Sequence, residues 1–313
     1  MSDDQIEISI VSPVYKAEAL VGPLVAQLRE VLGGITRKFE IILVEDGCPE
    51  GSWEAIERSC KDSPEVLGLK LSRNFGQHYA ISAGLNRTRG KWVVVMDCDL
   101  QDLPSEIPAL LAKAKEGHDI VLARRAVRQD SWLKRLSSKA FYSLLSYLTG
   151  TTQDPAIANF GVYERKVIAA INAMPETIRY FPTMVRWVGF RMTTLDVAHA
   201  SRPVGRTSYN LRKLVDLALD ICLAYSDKPL RLAINTGFIV TVLGFCFAGY
   251  TFIKALRGEI LVMGYATLTV SIWVLSGLII LVIGIVGLYV GKSFEGVKRR
   301  PAFIVDKVIG HAS

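Results

Sequence analysis

The sequence predicts an α/β domain built on a mostly parallel sheet, followed by two membrane-spanning helices. Three observations carry this prediction. Strand-like and helix-like patterns alternate from Ile6 to Ala123, the βαβ rhythm of a parallel sheet covered by helices. Two stretches lack any charge, 22 residues from Leu232 to Ile253 and 32 from Ile260 to Gly291. Each can cross a hydrocarbon core of about 30 Å at about 1.5 Å per helical residue. Finally, the apolar run Trp92–Met96 closes on Asp97-Cys98-Asp99-Leu100-Gln101-Asp102, and the carboxyl ends of strands are where open α/β sheets receive ligands.

Taken in order, Ile6–Val14 is β-branched and ends at Pro13-Val14-Tyr15, and Ala19–Leu32 has helical spacing. Phe39–Val44 reads as a buried strand that stops at Glu45-Asp46-Gly47. Ser52–Cys60 reads as a helix, Val66–Leu71 as a strand and Gln77–Thr88 as a helix. The acid-closed strand follows, then a helix from about Pro104 and a strand over Asp119–Ala123. The expected organisation is a catalytic domain over residues 1–210, an amphipathic juxtamembrane helix and linker over 211–231, spans at about 232–253 and 265–290, and a basic cytoplasmic tail over 292–313. Leu211, Leu214, Val215, Ala218, Leu219 and Cys222 recur on one helical face. That face suits the membrane interface or packing on the domain equally well.

Lys and Arg orient the chain. The connector between the spans holds only Lys254 and Arg257, whereas Arg212, Lys213, Lys228 and Arg231 precede the first span. Lys292, Lys298, Arg299 and Arg300 follow the second. The positive-inside tendency places both flanks and the large domain in the cytoplasm. The acidic start has no apolar stretch like that of a signal peptide. Five cysteines show no metal-finger spacing and are expected to stay reduced. A net charge of +7 suits anionic lipid and phosphate without choosing between them.

Asp97, Asp99 and Gln101, alternating along the strand end, can face one side and supply oxygen to Mg²⁺ or Mn²⁺ with substrate phosphates in the remaining positions. An acidic turn without a metal is the plain alternative. Glu45 and Asp46 can accept hydrogen bonds from a nucleobase or ribose, or form an ordinary turn. Arg124 or Arg125 can hold phosphate oxygens in a bidentate fork. Arg128, Lys134 and Arg135 follow, the last two equally explained as a solvated helix face. The histidines are scattered, and His78 is expected to play a supporting or surface role.

Together these residues resemble a known family. Ile8-Ser-Ile-Val-Ser-Pro-Val-Tyr, Val44-Glu-Asp-Gly, Leu71-Ser-Arg-Asn-Phe-Gly-Gln-His, Ala83-Gly-Leu and Met96-Asp-Cys-Asp-Leu-Gln-Asp stand in the order of family 2 glycosyltransferases of the GT-A fold. The likeness is to the polyprenyl-phosphate subgroup, similar to dolichol-phosphate mannose synthase and bacterial undecaprenyl-phosphate glucosyltransferases. Arg202-Pro-Val-Gly-Arg-Thr-Ser-Tyr, Ser226-Asp-Lys-Pro-Leu-Arg-Leu and Tyr289-Val-Gly-Lys-Ser-Phe-Glu-Gly look like that subgroup's juxtamembrane segments.

The resemblance implies inverting transfer of a sugar from a nucleotide diphosphate, expected to be UDP, to a polyprenyl phosphate such as undecaprenyl phosphate. The product would be a lipid-linked monosaccharide for modifying cell-envelope glycans such as lipopolysaccharide, made at the inner (plasma) membrane. It places Mg²⁺ or Mn²⁺ on Asp97, Asp99 and Gln101, and the nucleotide against Pro13, Tyr15, Glu18, Glu45 and Asp46. It places Arg124 near the phosphates, and Arg125, Arg202, Ser208 and Tyr209 toward the acceptor phosphate. Asp99, Arg124 and Asn159 are the expected catalytic set. No nucleic-acid partner is implied, and small residues in the spans allow a homo-oligomer. Where relatives typically read Asp-Asp-Gly-Ser, this chain reads Glu45-Asp46-Gly47-Cys48; Asn-Glu-Glu becomes Lys16-Ala17-Glu18. Asn159 and Gly161 stand where an acid or cysteine and an arginine are usual. Two other readings share the motifs: an enzyme acting on another lipid or glycan acceptor, and a catalytically silent membrane scaffold. Met184-Val-Arg-Trp187 lacks the glutamine of the processive synthases' Gln-x-x-Arg-Trp.

Overall fold

The period-2 alternation of the strands builds two cores, one on each face of a single sheet. The computed structural model describes residues 5–125, 157–176, 179–198, 200, 228–257 and 264–310. Strand β1 (Ile8–Val14) sends Ile8, Ile10 and Val14 to one face and Val11 to the other. β2 (Phe39–Glu45) divides Ile41 and Leu43 from Ile42 and Val44 in the same way. Helices α1 (Glu18–Gly33), α2 (Ser52–Asp62) and α4 (Ile107–Lys115) cover the first face. Helices α3 (Gln77–Leu85), α5 (Arg165–Asn172) and α6 (Phe181–Trp187) cover the second. Burying apolar faces on both sides is what a parallel sheet requires.

The remaining strands are β3 (Val66–Leu71), β4 (Trp92–Val95), β5 (Ile120–Arg125), β6 (Ile157–Glu164), β7 (Met192–Val197) and β8 (Val305–Ile309). The sheet runs β7-β5-β6-β4-β1-β2-β3-β8. β3, β2, β1 and β4 pair in parallel, as do β5 and β7, whereas β6 and β8 are antiparallel to their neighbours. The five strands expected from the pattern are present. β6, β7 and β8 are additions. β7 is polar and mostly half-exposed, and β6 carries Asn159 and Gly161, so neither shows a clean apolar period.

The C-terminal tail requires a correction. Instead of one basic tail over 292–313, α8 (Tyr265–Val297) continues to Val297 and β8 then adds to the outer edge of β3. The reason is an open edge: β3 would otherwise present unpaired backbone groups, and the short run Val-Asp-Lys-Val-Ile is able to pair with them.

Helices α7 (Lys228–Leu256) and α8, of 29 and 33 residues, belong to a second unit of the chain and pack on one another. Among the described residues no helix is long and apolar enough to cross a membrane. Side chains at several positions of both helices lie outside that set, so their hydropathy rests on the sequence. The amphipathic segment expected over 211–231 lies mostly outside the described residues, only 228–231 being within them, at the start of α7.

Helix α3 lies tight on the sheet because Gly84 has no side chain. A Cβ there would stand 2.5 Å from Val11 Cγ1 and 3.1 Å from Val44 Cγ2, both buried and stiff at χ1. Gly84→Ala is expected to lower stability by about 1–3 kcal/mol through overpacking, read as a fall in the thermal unfolding midpoint of the catalytic unit.

Candidate active site

Four loops meet at the carboxyl ends of β1, β2, β3 and β4, and backbone amides tie them together. Asp46, directly after β2, is buried. Its Oδ1 accepts the Phe75 N–H at 2.7 Å and its Oδ2 the Gly76 N–H at 2.8 Å, while its own N–H donates to Val14 O at 3.1 Å. Gly47 follows at φ +58°, and a Cβ there would overlap the backbone of Arg73 and Asn74; only glycine meets both demands. Asp46 thus anchors the β3–α3 loop with the carboxylate that the sequence suggested for the nucleotide.

Glu45 is fully buried at the end of β2. Its Oε1 accepts the Cys48 N–H, and its Oε2 is buried with no hydrogen-bond partner among the described residues. Burial raises the carboxyl pKa of both Glu45 and Asp46 above the usual range, against the lowering effect of the backbone hydrogen bonds. Cys48, where a hydroxyl is usual, gathers the corner: its Sγ accepts from Lys16 N at 3.2 Å, Glu50 N at 3.4 Å and Ser52 Oγ at 3.5 Å. Tyr15 is exposed beside this corner and Pro13 half-buried. Glu18 turns aside, its carboxylate against Gly51 and 3.6 Å from Arg58. It lines a cleft of about 670 Å³ between α1 and α2, beside the strand ends and not on them.

At β4 the strand stops at Val95, so Asp97, Asp99 and Gln101 are placed by a turn and not by strand alternation. Leu100 adopts φ +57° in that turn, a conformation that is costly without glycine and concentrates at functional sites. Asp97 Oδ1 accepts from Gln77 Nε2, the first residue of α3, at 2.7 Å. Asp99 Oδ1 accepts the Gln101 N–H at 3.1 Å, and Gln101 O accepts from Ala200 N at 3.0 Å. Cys98 between the acids is buried, and its thiol is pushed up to about 12 mainly by that burial. Among the described residues no three His, Cys, Asp or Glu side chains cluster as a metal site. The donor set is two carboxylates and an amide, chemistry that fits a hard divalent cation whose shell substrate phosphates complete.

Arg124, at the end of β5, is held bidentate by Asp196 of β7, Nε–Oδ1 2.6 Å and Nη2–Oδ2 3.0 Å. Arg125 shares that strand end opposite Val197. Asn159 is half-buried on β6, at the same edge because β6 runs antiparallel, and its carbonyl accepts from Tyr163 Oη at 3.4 Å. Gly161 is a packing residue: a Cβ would stand 2.8 Å from Val121 O and 3.1 Å from Tyr163 Oη. Arg202, Ser208, Tyr209, Arg128, Lys134 and Arg135 lie outside the described residues. His78 stacks edge-on to Tyr180, ring centroids 4.6 Å apart, and burial lowers its pKa to about 4, leaving it neutral. Gln77, Cys48, Asp196 and Ala200 are contributors to which the sequence pattern assigns no role. The signal for Gln77 was its place in the Leu71–His78 motif.

Residues 9–171 match the family described as glycosyl transferase family 2. An uncharacterized glycosyltransferase of Synechocystis is 35% identical over 306 residues, covering 97% of this chain and 96% of that protein. An undecaprenyl-phosphate 4-deoxy-4-formamido-L-arabinose transferase of Proteus mirabilis is 32% identical, covering 97% and 94%. Among solved structures, the glucosyl-3-phosphoglycerate synthase of Mycobacterium tuberculosis with Mn²⁺, UDP-glucose and phosphoglyceric acid shares the fold at a TM-score of 0.51. It is 16% identical, over 70% of this chain and 78% of that one.

Because the Glu45 carboxyl titrates higher in the fold than its ordinary value of 4.5, its contribution to stability is whole below that pH. It is lost as the pH rises through the raised value. Glu45→Gln is expected to flatten this decline across the weakly acid range, measured as the unfolding midpoint against pH.

Proposed function

The chain belongs to glycosyl transferase family 2, and from that premise we propose that it moves a sugar from a UDP-linked donor to undecaprenyl phosphate or a similar polyprenyl phosphate, inverting the anomeric carbon. The observation that carries the reading is the reach of the similarity. Relatives named for undecaprenyl-phosphate transfer align along nearly the whole chain, through both long helices.

Asp97, Asp99 and Gln101 would hold Mg²⁺ or Mn²⁺, which when bound neutralises charge growing on the departing nucleoside diphosphate. The corner of Pro13, Tyr15, Glu45 and Asp46 receives the nucleotide, with Asp46 acting chiefly through the loop that it anchors. Arg124 adds positive charge at the neighbouring strand end, steadied by Asp196. Arg125, Arg202, Ser208 and Tyr209 are assigned to the acceptor phosphate, and Asn159 to the sugar or acceptor. The acceptor is a phosphate monoester, whose second pKa is about 6, so it arrives as an anion at neutral pH. No side chain need remove a proton from it, and catalysis rests on positioning and electrostatics.

α7 and α8 are assigned to the membrane. At 29 and 33 residues they reach about 43 and about 50 Å, beyond a hydrocarbon core of about 30 Å. Phe238, Leu243, Phe247, Ile280 and Leu281 lie exposed along them. With the basic flanks inside, the catalytic unit and both ends are cytoplasmic at the inner membrane.

Purified full-length protein with undecaprenyl phosphate, Mg²⁺ or Mn²⁺ and a panel of UDP- and GDP-sugars tests the reading. One donor is expected to give a polyprenyl-phosphate sugar by mass spectrometry. Nucleotide binding without lipid product from any donor would move the assignment to another acceptor or to a silent scaffold. Asp99→Ala is expected to cut turnover by about a hundredfold or more while the protein still inserts in membranes. Turnover like that of the wild type would remove Asp99 from the metal site.

A further inference from the structure

The chain returns to the catalytic unit at Pro301, and the contacts that it makes there lead into the site. Ile304 O accepts the Ser72 N–H at 3.0 Å, and Val305 pairs in register with Leu71 at the end of β3. Phe303 and Val305 pack on the buried cluster beneath α3, the cluster that Phe75 also joins. Ser72 opens the loop whose Phe75 and Gly76 amides bind Asp46, and whose Gln77 binds Asp97. Six residues, Ser72 to Gln77, therefore lie between the C-terminal segment and the carboxylate assigned to the metal. That loop is pinned at its start by Ile304, in its middle by Asp46 and at its end by Asp97.

We propose that the segment Phe303–Ile309 is a positioning element of the donor site: by fixing where the chain leaves β3, it sets the stance of Phe75, Gly76 and Gln77 and so the aim of Asp46 and Asp97. An edge strand that served only to cap the sheet needs the β3–β8 pairs alone. Here the pairing is carried past the strand end by the Ile304–Ser72 bond, and Phe303 is placed against the cluster that seats the loop. The inference rests on the assignment of Asp97 to the metal and of the Glu45–Asp46 corner to the nucleotide.

The test compares Phe303→Ala with Ile168→Ala, which opens the same core cluster from α5, outside both the 72–77 loop and the 303–309 segment. Full-length proteins in detergent are titrated calorimetrically with UDP, and in parallel GDP, in the presence of Mn²⁺. Both variants are expected to unfold at lower temperature. Only Phe303→Ala is expected to bind the nucleotide diphosphate more weakly, by about tenfold or more, since small misplacements of a site are costly. A cysteine pair replacing Lys70 and Lys307, opposite one another in register, is expected to restore binding to Phe303→Ala when oxidised and to lose it again when reduced. Unchanged binding in Phe303→Ala, or equal weakening in Ile168→Ala, would overturn the inference alone. Wild-type protein that bound neither nucleotide would overturn the nucleotide pocket, and this inference with it.

Discussion

The Asp46 carboxylate, bonded to two consecutive amides of another loop, is the interaction on which the rest of the site depends. Each half of it has a separate consequence. Through Val14 O, the Asp46 backbone holds the β1 and β2 exits together. Through Phe75 and Gly76, its side chain sets the start of α3. Helix α3 then delivers Gln77 to Asp97 at β4, so three crossovers of a parallel sheet are brought to one edge by one acid. Gly47 is the steric counterpart, since the β3–α3 loop can approach only a residue without a side chain.

This joint explains how much could be read from the chain beforehand. The acids were legible because they interrupt apolar runs, and β1 to β5 because those runs are short, mostly apolar and separated by helix-like segments. The division of labour among the acids was not. That Asp46 is an internal anchor depends on Phe75 and Gly76, about thirty positions onward, and that Arg124 is held by Asp196 depends on a partner 72 positions away. The metal turn was expected as a continuation of the strand, yet Leu100 in a left-handed conformation breaks the alternation, and residue type gives no hint of that. Gly161 looked like a lost functional arginine. Against Val121 and Tyr163 it is the residue that lets β6 lie beside β5. β8 was hidden for a simpler reason: five residues of an edge strand after a long apolar helix carry too short a period to stand out.

The remaining features share one physical pattern, in which stability is given up at the strand ends and recovered in the layers behind them. Two carboxyls are buried at the β2 exit, and burial outweighs the hydrogen bonds to both. Lys16 and Leu100 occupy left-handed backbone in the β1–α1 loop and the β4 turn. Such arrangements persist only where surrounding structure over-determines them, and here it does. Cys48 ties Lys16 to the β2 corner, Gln101 ties the turn after β4 to Ala200, and two continuous apolar layers fix the strands. The proposed reaction, in which an ionised phosphate attacks the anomeric carbon and a nucleoside diphosphate departs, asks the protein for fixed charges and fixed distances and not for proton transfer. An edge built from cross-braced loops answers that demand: Asp46 is aimed by amides of the β3–α3 loop and Asp97 by Gln77 of α3, each a partner on a different crossover.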